Sequence, residues 1–94
     1  MKKARVLVVD DENIIAWTLQ EKLIKEGFEV RTVENGESAI NSIKEDMPDL
    51  AFVDVFLPDI GGIQVLKEII RLNEEIPVIM VTGSGSVDTA VTAM

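Results

Sequence analysis

The sequence contains no histidine and no cysteine. The lack of histidine excludes Ser-His-Asp catalytic triads and imidazole-ligated zinc, and the lack of cysteine excludes disulfide frameworks and thiolate metal sites. The absence of cysteine also fits a reducing cytoplasm. The apolar run at residues 6–9 is far too short for a signal peptide, and no run approaches the length of a membrane span. We therefore predict a cytoplasmic protein without a membrane anchor.

Acidic residues outnumber basic residues by 17 to 9, which gives a formal net charge of −8. Proteins that hold nucleic acid need lysine and arginine to neutralise phosphates, so this balance argues against direct nucleic-acid contact by this segment. Solubility explains most of the negative charge, and a local acidic cluster that binds a cation would account for the rest. The 94 residues, 47% of them hydrophobic, suffice for one small core, so we predict a single domain over residues 1–94.

Four short apolar runs predict strands, and the segments between them predict helices. Near-continuous runs are typical of strands buried on both faces of a parallel sheet, whereas the second run alternates as an edge strand does. The segments between the runs carry apolar residues at helical spacing and end near glycine or proline. The predicted strands are residues 6–9, 29–33, 50–53 and 78–81, and the predicted helices are residues 13–26, 36–45 and 62–72. This alternation predicts an α/β fold built from right-handed βαβ units.

The last nine residues begin another helical pattern. Ser86 suits a helix N-cap, and Val87, Ala90, Val91 and Met94 form an apolar stripe at helical spacing. Because no glycine or polar tail follows, we interpret the chain as truncated within a fourth helix, with a fifth strand and a last helix missing. An uncovered fourth strand would pair readily with another chain. We therefore expect a homodimer or a strand- or helix-swapped assembly.

Acidic and hydroxyl side chains stand directly after three of the predicted strands. Asp10 and Asp11 follow the first strand, and Asp54 follows the third. Thr82 follows the fourth. Parallel strands end at one edge of the sheet, where open α/β proteins bind ligands. Carboxylates held close together and partly buried repel each other by on the order of several kcal/mol, which a hard cation relieves. An all-oxygen set with few protein ligands suits Mg²⁺, which keeps several waters.

Each of these residues also has a purely structural explanation. Asp11 or Asn13 would serve as a cap for the first helix. Asp54 is suited to start a turn before Pro58, and Thr82 is suited to an ordinary strand position. The joint placement favours a functional site, because all the candidate residues follow apolar strands and none interrupts one.

Three segments resemble receiver domains of two-component response regulators, in the order and with the spacing of that family. They are Val8-Val9-Asp10-Asp11-Glu12, Val53-Asp54-Val55-Phe56-Leu57-Pro58 and Pro77-Val78-Ile79-Met80-Val81-Thr82-Gly83. The segments Ile15-Ala16-Trp17, Glu34-Asn35-Gly36-Glu37 and Val87-Asp88-Thr89-Ala90-Val91 are most similar to the nitrogen-regulatory (NtrC-type) class. The resemblance implies a flavodoxin-like, doubly wound parallel sheet with strand order 2-1-3-4, and a fifth strand and last helix beyond Met94.

The resemblance also implies a regulatory phosphoacceptor domain that assists its own phosphoryl transfer and dephosphorylation, rather than an enzyme with a separate substrate. Asp54 would take a phosphoryl group from a sensor histidine kinase and switch a downstream, transcription-regulating output. Asp11, Asp54 and the backbone carbonyl of Phe56 would hold Mg²⁺, and Asp10 would act through water. Phosphoryl transfer depends more on an in-line nucleophile and on cationic compensation of the phosphoryl oxygens than on acid–base groups.

The same resemblance assigns the remaining phosphoryl contacts to the end of the fourth strand. Thr82 would be the switch residue that hydrogen-bonds the phosphoryl oxygens, and the backbone N–H of Gly83 would help to hold them. The family usually has an Asp-Gly pair where this chain has Gly61 and Gly62, so we expect altered turn chemistry with little effect on the site. The lysine that the family carries after its fifth strand would lie beyond Met94, so we expect weak or absent phosphorylation of the 94-residue chain by itself.

Two other functions stay open at this point. A flavin- or nucleotide-binding protein of the same fold class would have a hydroxyl- and glycine-rich loop after the first strand. The sequence Asp10-Asp11-Glu12 instead repels phosphate unless a metal is present. A pseudo-receiver would keep the acidic residues as an interaction module and would never accept phosphate. Phosphorylation of Asp54 distinguishes the receiver from both.

Overall fold

Strands and helices alternate along the chain, as the apolar pattern predicts. The computed structural model describes residues 3–81 and 90–92. The helices are α1 (Asn13–Lys25), α2 (Gly36–Glu45) and α3 (Gly62–Leu72). The strands are β1 (Arg5–Val9), β2 (Glu29–Val33), β3 (Leu50–Asp54), β4 (Val78–Val81) and β5 (Ala90–Thr92). None of the helices in the described residues is long and apolar enough to cross a membrane.

The helix boundaries follow from the residues that stand at them. Helix α1 ends just before Gly27, whose φ of 96° lies in the left-handed region that glycine adopts without strain. The N–H of Gly27 donates to the carbonyl of Ile24 at 3.0 Å, which satisfies one of the free carbonyls at the helix end. Helix α2 begins after Asn35, whose side chain accepts a hydrogen bond from the N–H of Ser38 at 2.8 Å.

The sheet has the predicted order for its first four strands. The full order is β2-β1-β3-β4-β5, and β1 pairs in parallel with both β2 and β3, while β3 pairs in parallel with β4. The central strand β1 is buried from Val6 to Val9, whereas the edge strand β2 has no fully buried residue. The continuous apolar run therefore marks a central strand, and the alternating run marks an edge strand.

The last described segment corrects the prediction of a helix there. Residues Ala90–Thr92, which the apolar stripe placed in a helix, form β5 and pair antiparallel with β4, with Val91 opposite Ile79. A strand thus stands where we predicted a helix, and because it is antiparallel it is not the parallel fifth strand that the resemblance implies after Met94. The backbone of β4 would otherwise be an open edge, and strand pairing satisfies its N–H and C=O groups. The β-branched Val91 and Thr92 suit a strand better than a short helix. Ser86, Val87 and Met94 lie outside the described residues.

Side chains of the sheet alternate between two apolar layers. On one face, Leu7 and Val9 pack with Val53 and with residues of α2 and α3. On the other face, Val6 and Val8 pack with Ala16 of α1. Helices therefore cover both faces, and the loops that follow the strands meet at the carboxyl edge of the sheet.

Candidate functional site

Asp10 and Asp54 lie side by side at the carboxyl edge of the sheet. The parallel register pairs Val9 with Val53, so the residues that follow them are neighbours. Both aspartates are buried, with exposed fractions of 5% for Asp10 and 2% for Asp54. Buried carboxylates are rare unless they are paired or bind a cation. Their burial therefore points to a site rather than to an ordinary surface loop.

The environment of Asp10 opposes its negative charge. Burial is the largest cause, and together with the charges of Asp54 and Asp11 it raises the pKa of Asp10 from 3.8 to about 6. The N–H of Glu12 donates to Asp10 Oδ1 at 2.8 Å, and this hydrogen bond by itself lowers the pKa of Asp10. Asp10 is thus held as a carboxylate at neutral pH against an unfavourable field, which a cation would relieve.

Asp11 completes a cluster of three carboxylates. One oxygen each of Asp10, Asp11 and Asp54 lies within 4.8 Å of the others. Asp11 is exposed, and it is not the N-cap of α1, since that position is Glu12, whose side chain makes no capping hydrogen bond. The capping explanation for Asp11 is therefore wrong. Three carboxylate oxygens facing one another, one of them at the solvent, are a donor set that fits Mg²⁺.

A hydrogen bond and a close backbone contact fix Asp54. Its Oδ1 accepts a hydrogen bond from the N–H of Phe56 at 3.0 Å. This bond is typical of the turn that the sequence analysis gave as the purely structural explanation of Asp54. Gly62 lies against the Asp54 carbonyl so closely that a Cβ at position 62 would overlap the Asp54 oxygen and lie 2.8 Å from the Cα of Val55. Gly62 therefore places Asp54 at the rim, a role that its position after Gly61 did not reveal.

Asp59 is a residue near the site that sequence reasoning missed. Its two carboxylate oxygens accept hydrogen bonds from the N–H groups of Gly36 and Glu37, at 2.8 and 2.9 Å. These two bonds hold the pKa of Asp59 below its usual value. The donors belong to the first turn of α2, which is more than 20 residues away in the chain. No local spacing in the sequence indicates this contact.

The remaining predicted site residues differ in what the structure says of them. Phe56 follows Asp54 by two positions and is 71% exposed. Its position beside the cluster is compatible with the predicted carbonyl ligand. Thr82 and Gly83 lie outside the described residues, so their predicted contacts with the phosphoryl group stay predictions.

A second charged cluster lies near the start of β1, and there the charges are paired. Arg5 forms a salt bridge with Asp46, and Arg31 approaches the other oxygen of Asp46 at 3.6 Å. Arg31 also donates to the hydroxyl of Ser42 at 2.9 Å, and the N–H of Arg5 donates to Asp49 at 2.8 Å. These groups satisfy one another, and the cluster has the features of a stabilising contact between β1, β2 and the end of α2.

Comparison with known proteins identifies one family for the chain. The model of the response regulator receiver domain matches residues 6–94. The probable transcriptional regulator ycf27 of Guillardia theta is 37% identical over 98% of this chain. The DNA-binding transcriptional regulator NtrC of Proteus hauseri is 33% identical over 99% of it, which confirms the predicted likeness to the nitrogen-regulatory class. The chain spans 36% of the length of the first relative and 20% of the second.

Solved structures agree with the fold. The response regulator protein TrrA from Thermotoga maritima, determined in complex with Mg²⁺-BeF, superimposes with a TM-score of 0.82 at 38% identity. The superposition covers 87% of this chain and 71% of that protein. The flavodoxin-like sheet that the resemblance to receiver domains implied is therefore confirmed for the described residues.

Proposed function

This chain belongs to the response regulator receiver domain family, and from that premise we propose that it accepts a phosphoryl group on Asp54 from a sensor histidine kinase. The observation that carries the proposal is the cluster of one oxygen each from Asp10, Asp11 and Asp54 within 4.8 Å. Asp54 is the member that lies within a central strand, as its last residue, and like Asp10 it accepts a hydrogen bond from a backbone N–H.

We propose Mg²⁺ as the cofactor of this reaction. Asp11, Asp54 and the backbone carbonyl of Phe56 would hold the ion, and Asp10 would contact it through water. The fit rests on the all-oxygen donor set and on the raised pKa of Asp10, which is caused first by burial and then by the negative charges of Asp54 and Asp11. When bound, Mg²⁺ supplies positive charge that compensates the carboxylates and the oxygens of the incoming phosphoryl group.

The protein's own groups perform the transfer by position. A carboxylate oxygen of Asp54 attacks the phosphorus of the kinase phosphohistidine, an O–P bond forms, and the N–P bond to the imidazole breaks. The N–H of Phe56 orients the Asp54 carboxylate for this attack. Gly62 keeps the Asp54 backbone at the rim, because any side chain there would displace it. Thr82 and the N–H of Gly83 would hold the transferred phosphoryl oxygens.

The result of the transfer would be a signal. Phosphorylation adds a strongly charged group to a buried position at the end of β3, which biases the neighbouring loops toward a second conformation. The domain would thereby regulate a transcription-regulating output in the cytoplasm and would catalyse only its own phosphorylation and dephosphorylation. Homodimerisation or a swapped assembly stays part of the proposal, and because β5 covers β4, the strand edge open to another chain would be that of β5.

The acidic rim disfavours the rival functions. Asp10 and Asp11 occupy the place where a flavin- or nucleotide-binding protein of this fold class has a loop that cradles phosphate. A pseudo-receiver would share the cluster, so only chemistry at Asp54 separates it from a receiver.

The test is intact-mass analysis of the natural protein that contains these 94 residues, after incubation with acetyl phosphate and Mg²⁺. We expect the mass to increase by one phosphoryl group, and the increase to vanish in Asp54→Ala and on chelation of the metal. The matched control is Asp46→Ala, an aspartate outside the cluster, which should label as the wild type does. An unlabelled wild type, or equal labelling of Asp54→Ala, would reject the proposal.

A further inference from the structure

The loop between β3 and α3, residues 55–61, is attached to a distant helix by a carboxylate. Asp59 Oδ1 accepts from the N–H of Gly36 at 2.8 Å, and Asp59 Oδ2 accepts from the N–H of Glu37 at 2.9 Å. Helix α2 already has a local cap in Asn35, which binds the N–H of Ser38 at 2.8 Å. The start of α2 therefore has two capping side chains, and only Asp59 comes from the loop that follows Asp54.

An apolar contact accompanies this polar attachment. A Cβ at position 36 would overlap the side chain of Ile60 and lie 3.0 Å from Val65 Cγ2, so the loop rests directly on the glycine that begins α2. Ile60 and Leu57 also pack against the core on that face of the sheet. The loop is thus attached to α2 in two ways: the Asp59 carboxylate accepts two hydrogen bonds, and the Ile60 side chain packs against Gly36.

The same loop is held at its other end by the candidate site. The N–H of Phe56 donates to Asp54 Oδ1 at 3.0 Å, and the carbonyl of Val55 accepts from the N–H of Gly62 at 2.9 Å. Only Leu57 and Pro58 separate Phe56 from Asp59, and the proline ring fixes one backbone dihedral between them. A shift of Asp59 is therefore transmitted to Phe56 over a short and stiff connection.

We propose that Asp59 is a positioning residue, which keeps the Phe56 carbonyl in place for Mg²⁺ by fixing the β3–α3 loop to the start of α2. The inference rests on the proposed function, because it assigns a task to a ligand of the proposed Mg²⁺ site. A carboxylate suits the task because it is the side-chain group that, at neutral pH, offers two acceptor oxygens to two neighbouring N–H groups.

Mg²⁺ affinity, measured by isothermal titration calorimetry at neutral pH, tests the inference. In Asp59→Ala both hydrogen bonds are lost, and we expect the Kd for Mg²⁺ to rise about tenfold, as is usual when a group that orients a metal ligand is removed. The Kd of Asp59→Asn should lie between those of Asp59→Ala and the wild type, since the amide offers one acceptor oxygen and keeps only one of the two hydrogen bonds. The amide resonance of Phe56, followed by NMR without metal, should shift in Asp59→Ala.

The matched control is Asn35→Ala, which removes the other cap of the same helix and leaves the β3–α3 loop attached. We expect it to lower the stability of the fold while leaving the Kd for Mg²⁺ and the Phe56 resonance unchanged. An unchanged Kd in Asp59→Ala, or an equal rise in Asn35→Ala, would overturn the positioning role while the proposed function stands. A wild type that binds no Mg²⁺ would overturn both.

Discussion

The two ends of β1 carry charged clusters that differ in how their charges are compensated. Near the start of the strand, Arg5 and Arg31 flank Asp46, so positive and negative groups meet. Just past its end, Asp10 faces the carboxylates of Asp11 and Asp54. None of the ion pairs found among residues 3–81 and 90–92 includes these three aspartates. Charges that are balanced within the fold stabilise it, whereas charges left unbalanced in a buried place fit a cation from solution.

Removal of one charge at the carboxyl end should give the largest effect on stability. Because the folded state raises the pKa of Asp10 from 3.8 to about 6, ionised Asp10 opposes folding at neutral pH. In the absence of Mg²⁺, we expect Asp10→Asn to increase the free energy of unfolding by about 2 kcal/mol, less than the full shift implies since part of the cluster reaches solvent. Chemical denaturation at pH 7 measures this, and a destabilised variant would contradict the comparison.

The pH dependence of that gain follows from the direction of the shift. Above pH 6 both the folded and the unfolded state carry ionised Asp10, and the whole penalty is present. As the pH falls from about 6 toward 3.8, the folded state takes up the proton first, so the wild type recovers stability relative to Asp10→Asn. We expect the difference between the two proteins to shrink over this interval. A difference that stays constant with pH would mean that charge on Asp10 is not its cause.

Magnesium should reverse part of the penalty at the carboxyl end. A ligand that binds only the folded state adds about 1.4 kcal/mol when its concentration is ten times the Kd. We expect thermal unfolding of the wild type to shift upward with Mg²⁺ by a corresponding amount, and Asp11→Ala to show a much smaller shift. Equal shifts in both proteins would indicate binding elsewhere on the acidic surface.

Removal of a charge from the paired cluster near the start of β1 should change the stability of the fold only slightly, and the change should be the same with and without Mg²⁺. The side chains of Arg5 and Asp46 are partly exposed, at 41% and 37%, and ion pairs of this kind contribute little. We expect Asp46→Ala to lower the free energy of unfolding by about 0.5 kcal/mol, with the same Mg²⁺-induced stabilisation as the wild type. A loss of Mg²⁺ stabilisation in this variant would show that the two ends are not independent.

Short-range sequence pattern was sufficient for the strands, the helices and the convergence of the carboxylates, whereas the order of the strands in the sheet came from the resemblance to receiver domains. Apolar runs identify β1 and β3, and parallel strands must end at one edge, so the convergence of Asp10 and Asp54 could be predicted. The bond from Asp59 to α2 could not, because it joins residues more than 20 positions apart that have no common local signature. The antiparallel β5 was missed because Val91 fits both a helical stripe and a strand, and pairing with β4 decides between them.

Paramagnetic broadening by Mn²⁺, an ion that accepts the same oxygen ligands, tests most directly whether the carboxylates gather around one cation. In NMR spectra recorded with substoichiometric Mn²⁺, we predict that the amides of Asp11 and Val55 broaden first, while those of Arg5 and Asp46 remain sharp. Excess Mg²⁺ should restore the broadened signals. Broadening spread over the acidic surface, or strongest outside the Asp10, Asp11 and Asp54 cluster, would contradict the account.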